Sequence, residues 1–310
     1  MSFFRWTGFL GEAYPLPICE EVPISSIDVA LLTLLSAIWG SAFMFYRYLT
    51  PVLGPFVTVG MRLLIAGAAL CVFSLLSRSR LRLRERWRQY LIIGLLNSAI
   101  PFVLFSFASL SIASSVEVIL NALSPMFGAV FSAFFLKERL TRRKVLGIVL
   151  GLAGVGLVSG LSGEAATGTT LLAIAACIAA TAFYGLAGVY IKKWSNAIEP
   201  KAVAAGSQLI LGLLLLPALW LAPPPGRITM GIVASVLAFA LFCSAIAYLI
   251  YYRLVASAGP TKALMVTFLM PVFGFVWGAL LLGERITAGM IGGTLVIVAG
   301  MYLIAGKAEH

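Results

Sequence analysis

Ten runs of mostly apolar residues, each at least twenty long, take up nearly the whole chain: 27–49, 54–77, 89–110, 113–136, 142–161, 168–192, 200–221, 229–254, 260–282 and 287–306. A helix needs about 20 such residues to cross a hydrocarbon core of about 30 Å. Inside that core every backbone polar group must be paired within the protein, which leaves helices or a closed barrel. Runs of this length predict an all-α integral membrane protein with ten transmembrane helices. The separators are short and carry helix breakers: Thr50-Pro51, Gly54-Pro55, the basic segment 78–88, Ser162-Gly163, Glu199-Pro200, Pro223-Pro224-Pro225 and Gly259-Pro260. None is long or polar enough for a soluble domain. Composition agrees, with 61% apolar and 11% charged residues and a mean hydropathy of +1.05, against roughly half and a quarter in soluble domains. Residues 1–26 lack the basic start and apolar core of a cleaved leader. They read as a cytoplasmic tail that touches the membrane through Phe3, Phe4 and Trp6.

The net charge of +11 raises nucleic acid as a partner, but the placement of the charges excludes it. Arginines 78, 80, 82, 84, 86 and 88 lie between the second and third runs. Lys137, Arg139, Arg142, Arg143 and Lys144 lie between the fourth and fifth, and Lys192, Lys193 and Lys201 between the sixth and seventh. With Arg5, Arg253, Lys262 and Lys307, 18 of the 22 basic residues fall on one side of a ten-span layout. Only Arg47, Arg227 and Arg285 fall on the other. The bias of Lys and Arg toward cytoplasmic loops then puts both termini in the cytoplasm.

One phrase is written twice. LSPMFGAVFSAFFLKERLT at 123–141 returns as LMPVFGFVWGALLLGERIT at 269–287, and from 123–160 against 269–306 the copies match at 15 of 38 positions. The pairs include Pro125/Pro271, Gly128/Gly274, Glu138/Glu284, Gly147/Gly293 and Gly154/Gly300. Upstream, Gly40 pairs with Gly185, Trp39 with Tyr184, Gly67 with Gly212, and Ser98 with Ser244. Each half therefore holds five runs, 27–161 and 168–306. Five is odd, so the second half sits upside down relative to the first. Inverted repeats suit a carrier, because each half can adopt the other's shape and open a shared site to either side in turn.

The phrases at 271–287, AIWGSAF at 37–43 and SAIAYLIYYRLVASAGPTKA at 244–263 resemble the drug/metabolite transporter superfamily, specifically its EamA-type members, over about 27–306. Similar proteins export amino acids, related metabolites or drugs, or exchange nucleotide sugars and phosphorylated sugars. The resemblance implies a central cavity lined mainly by the helices of runs 1, 3, 4, 6, 8 and 9, with runs 5 and 10 packed together away from it.

Individual residues suggest where a substrate would bind. In the fourth run Ser114, Glu117, Asn121, Ser124, Gly128 and Ser132 recur at helical spacing and share a face. Small polar residues alone would read as helix packing; Glu117 and Asn121 favour a cavity wall. Glu117 is the one acid well within a run, placed to hold a substrate amine or a coupling proton, or else to sit among external headgroups. Trp39 and Phe43, with Tyr46, share a face of the first run, and Tyr184 and Tyr248 add aromatic surface suited to amphipathic ligands. Asn97 lies near Pro101. Pro125 and Pro271 remove helix hydrogen bonds and are candidate hinges. Arg62 is the lone basic residue deep in a run; its long stem favours lifting the charge to the headgroups over binding a substrate carboxylate. Gly147, Gly151, Gly289 and Gly293 read as packing seams, within the chain or between protomers.

Enzyme chemistry finds no support. The single histidine is His310, no phosphate-binding loop is present, and Cys19, Cys71, Cys177 and Cys243 are scattered. No cofactor or metal is expected. The expectation is a secondary exporter of amino acids, aromatic ones included, or similar small amphipathic metabolites. It would sit in the plasma membrane, the inner one in a bacterium, proton-coupled or facilitative, as monomer or homodimer. A sugar-phosphate or nucleotide-sugar antiporter and a multidrug carrier are the alternatives within the fold. A channel or a membrane enzyme is the alternative outside it.

Overall fold

The computed structural model describes residues 25–77, 81–161, 167–194 and 199–305. The tail expected over 1–26 falls outside the described residues but for its last two, as do 78–80, 162–166 and His310. All regular structure among the described residues is helical. The helices are α1 (Ser26–Leu53), α2 (Pro55–Leu76), α3 (Leu83–Ala108), α4 (Ser114–Leu136), α5 (Arg142–Leu161), α6 (Gly168–Trp194), α7 (Pro200–Leu221), α8 (Met230–Ala258), α9 (Val266–Leu282) and α10 (Ala288–Ala305). Seven of them, α1–α4 and α6–α8, are long and apolar enough to cross a membrane; α9 and α10 are apolar but shorter. Large apolar side chains face outward, with Leu221, Leu76, Phe134 and Leu280 each at least 74% exposed. A soluble surface does not carry so much exposed hydrocarbon. The protein is a multi-pass membrane protein.

Local sequence sets the ends. Ser25 and Asp28 form a reciprocal capping box at the start of α1. Pro55 and Pro200 occupy the first position of α2 and α7, where a missing N–H costs nothing. Gly54, Gly259 and Gly283 take positive φ at the ends of α1, α8 and α9.

Close approaches fix how the helices pair. α1 packs on α9 and α6 on α4, while α2 meets α7 and α5 meets α10. A Cβ on Gly40 would lie 3.0 Å from Phe273 Cβ and 3.2 Å from Gly274 N; one on Gly185 would meet Phe127 and Gly128 at 2.7–2.9 Å. Both glycines and both contact sets are sequence pairs of the repeat. The same exchange occurs at Gly67, which abuts Gln208 and Leu209, and at Gly212, which abuts Leu63 and Leu64. In the α5–α10 seam, a Cβ on Gly154 would be 2.8 Å from the Gly293 carbonyl oxygen, and the reverse holds equally. The seam thus closes within one chain.

Candidate functional site

Between the helices lies a cavity of about 610 Å³ lined by residues of α1–α4 and α6–α8, of α9, and of the segment just before it. Among the described residues, none from α5 or α10 lines it. The lining exceeds what the resemblance implies, because α7 and Arg62 of α2 also contribute. The mouth lies at the end of the bundle where α6 stops and α7 starts, beside Ile191, Pro200 and Leu264. At the other end, Tyr46, Phe102 and Phe105 form a floor and are nearly inaccessible to solvent.

Aromatic side chains make up much of the wall. Trp39 meets the Tyr248 ring edge-on at 6.1 Å and lies 5.5 Å from Tyr251. Tyr252 stacks on Tyr248 at 5.9 Å. Opposite, Phe105 packs against Phe43 at 5.2 Å and Tyr184 at 6.3 Å. Asn97 and Ser98 sit beside the Tyr248 hydroxyl. Of the eight residues singled out from sequence for substrate contact, Trp39, Phe43, Asn97, Asn121, Ser124, Tyr184 and Tyr248 line this cavity.

Glu117 does not. It is fully buried in the first part of α4, and neither carboxylate oxygen has a hydrogen-bond partner. It therefore sits neither among headgroups nor on the cavity wall. The expected stripe is divided, with Asn121, Ser124, Gly128 and Ser132 on the cavity and Ser114 and Glu117 sealed beyond its floor. An interruption at 122–123 separates the two parts of α4. Pro125 accounts for it: lacking an N–H, it leaves the Asn121 carbonyl free, and the Ser124 hydroxyl donates to that oxygen at 2.6 Å. Pro271 behaves differently. α9 runs through it, and the interruption lies upstream at 264–265.

Arg62 reverses its sequence expectation. Its side chain does not reach the headgroups but is 4% exposed and borders the cavity. Nε donates to Ser244 Oγ at 2.9 Å, Nη1 to the Tyr46 hydroxyl at 2.6 Å and Nη2 to the Cys243 carbonyl at 3.3 Å. The guanidinium carbon lies 4.0 Å from the Phe102 ring centroid and 4.3 Å from that of Phe239. Its partners on α8 fall in a π-helical turn, Leu241–Ile246. The repeat-related segment of α3, Leu95–Ala99, is also π-helical and presents Asn97 to the cavity. Such turns widen a helix and loosen its carbonyls. Pro101 is not their common cause, since Ala247 holds the equivalent place in α8. The only sequence signal was the match of Ser98, Ala99 and Ile100 to Ser244, Ala245 and Ile246.

The end beyond the floor is fastened by polar contacts. Glu284, in the α9–α10 loop, accepts from the Ser114 and Ser115 amides at 2.7 and 3.0 Å and from the Ser115 hydroxyl at 2.6 Å. It caps α4 from across the bundle. Arg47 Nη1 donates to the Ser109 carbonyl at 2.6 Å. At the mouth end, the Lys192 ammonium donates to Glu138 at 2.6 Å and holds that carboxyl below the usual carboxylate range, with Lys144 adding to the effect.

A membrane-embedded helical bundle around a central cavity is the form of a membrane transporter. Residues 27–160 and 171–306 each match the EamA-like transporter family, and the chain belongs to it. This is a family of transporters rather than of enzymes. The chain is 28% identical over 284 residues to the uncharacterized transporter YvbV of Bacillus subtilis, covering 90% of this chain and 92% of that one. It is 26% identical to the S-adenosylmethionine/S-adenosylhomocysteine transporter of Chlamydia trachomatis serovar D, covering 94% and 93%. A solved crystal structure matches with a TM-score of 0.64 at 19% identity, over 90% of this chain and 96% of the other. That likeness shows the fold alone.

Proposed function

We propose that this protein is a secondary active transporter that works by alternating access and exports amino acids, aromatic ones included, or similar small amphipathic metabolites. The observation that carries the reading is a central cavity walled by aromatic side chains and shut at one end by the buried Tyr46, Phe102 and Phe105. On this reading all ten helices span the plasma membrane as two inverted five-helix repeats, 27–161 and 168–306, with both termini cytoplasmic. The exchanged glycine contacts support the repeat, since α1 on α9 uses the repeat-equivalents of the residues that α6 uses on α4. The mouth lies at the end carrying Lys192, Lys193, Lys201 and Arg253. By the positive-inside bias that end faces the cytoplasm, where an exporter loads. Pro125 and Pro271 serve as hinges, and Glu117 carries a coupling proton. The relative named as a transporter of S-adenosylmethionine and S-adenosylhomocysteine favours an amino-acid derivative joined to a ring.

Sugar-phosphate exchange is disfavoured, because a phosphate dianion needs several cations and Arg62 is the single basic residue lining the cavity among the described residues. The test is uptake into proteoliposomes across amino acids, S-adenosylmethionine, cationic drugs and sugar phosphates, with and without a pH gradient. Saturable uptake of an amino acid or its derivative is expected, accelerated when the vesicles are preloaded with the same compound. Transport confined to sugar phosphates, or unitary currents in planar bilayers, would contradict the proposal. In the same assay Pro125→Ala and Pro271→Ala should slow turnover more than they weaken binding; unchanged turnover in both would make them static kinks.

A further inference from the structure

We propose that Arg62 is the group that recognises a carboxylate on the substrate, so that the cavity selects molecules joining one carboxylate to an aromatic or apolar body. The inference rests on the carrier reading above and names the chemistry of its substrate. A buried guanidinium needs compensation, because moving a charge out of water is costly unless it is paired. Every contact Arg62 makes is to a neutral group: Ser244, Tyr46, the Cys243 carbonyl, and the rings of Phe102 and Phe239. Among the described residues no carboxylate lies within ion-pairing distance of it. The one acid buried nearby in the bundle, Glu117, has no hydrogen-bond partner at all.

Three of the five N–H donors of the guanidinium are thus accounted for, and the remaining two belong to a group that borders the cavity. The Phe102 and Phe239 rings lie close against the guanidinium, at 4.0 and 4.3 Å. The contacts to Tyr46 and Ser244 fix its position without satisfying its charge. A purely structural tie between α1, α2 and α8 would need donors only, and a neutral amide supplies those. A cation held rigidly at a cavity wall, with no anion of its own, is matched by an anion that arrives with the ligand. One cation fits one carboxylate, and it repels cationic drugs. Trp39, Tyr184 and Tyr248 stand on the same cavity to take the apolar body, and the volume lies within the usual range for small-molecule sites.

The experiment uses the purified full chain and four probes of one shape: 3-phenylpropionate and phenylalanine, which carry a carboxylate, and phenethylamine and phenylalanine amide, which do not. Binding is read by ligand-induced thermal stabilisation across a concentration series. Wild type should bind the carboxylates more tightly, by a factor on the order of 10 to 100 for one charge-assisted contact. Arg62→Gln should abolish that preference, and Arg62→Lys should retain part of it. Equal affinity of wild type for all four probes, or an intact preference in Arg62→Gln, would overturn the assignment while leaving the carrier reading in place. Should both variants fail to fold, discrimination by the wild type alone decides. If none of the four binds while sugar phosphates do, the assignment and the substrate class proposed above fall together.

Discussion

Replacing Glu284 by alanine is expected to open the end of the bundle that is now shut. The carboxylate takes three hydrogen bonds from Ser114 and Ser115, each worth about 1.5–3 kcal/mol when one partner is charged. Water replaces part of that once the end opens. A net loss of about 2–3 kcal/mol would still raise the population open on that side by roughly 30- to 150-fold. Ile112, just before α4, is 1% exposed and reports the change. In a background without the native cysteines, Ile112→Cys should resist a membrane-impermeant thiol reagent when Glu284 is present and react readily in Glu284→Ala. Glu284→Gln, which keeps one acceptor, should fall between. Equal labelling in all three would make the cap a local brace.

The second large effect is expected at Glu117. A polar group buried without a hydrogen bond costs about 1–3 kcal/mol, so Glu117→Leu should be more stable than wild type by that amount. Retention of a destabilising group points to a task that needs it. Because the carboxylate is sealed away from the cavity in this state, proton coupling fits better than direct contact with a substrate amine. Glu117→Gln should therefore still bind and exchange substrate yet lose accumulation driven by a pH gradient. If it served binding instead, affinity for amine-bearing substrates would fall by a factor on the order of 10 to 100. Normal affinity together with normal gradient-driven transport would remove Glu117 from the mechanism.

The parts of this protein that were legible in its sequence are those set by periodicity and length. The run at 54–77 is α2, Pro55–Leu76, and that at 229–254 is α8, Met230–Ala258. α3 begins at Leu83, six residues before its apolar run, because a basic helical turn costs little outside the hydrocarbon. Trp39, Tyr184 and Tyr248 could be chosen from sequence because a large amphipathic ring in mid-helix needs a cavity or a partner. Arg62 could not be placed: its stem is long enough for headgroup or interior, and only the packing of Phe102 and Phe239 decides. The role of Glu284 was hidden for a different reason. A cap bonding to residues 169 and 170 positions away leaves no local pattern. Nor does any residue type mark the π turns, which arise where α3 and α8 pack.

If the cavity opens to one side as it closes to the other, distances across its two ends report it most directly. Spin labels at Trp194 and Leu264, both about half exposed, would span the mouth. A second pair at Leu110 and Arg285 would span the end held by Glu284. Distances measured in lipid for the wild type and for Glu284→Ala should move in opposite senses, the mouth pair shortening as the far pair lengthens. Two pairs that lengthen together would describe a pore, and two that do not move would contradict alternating access.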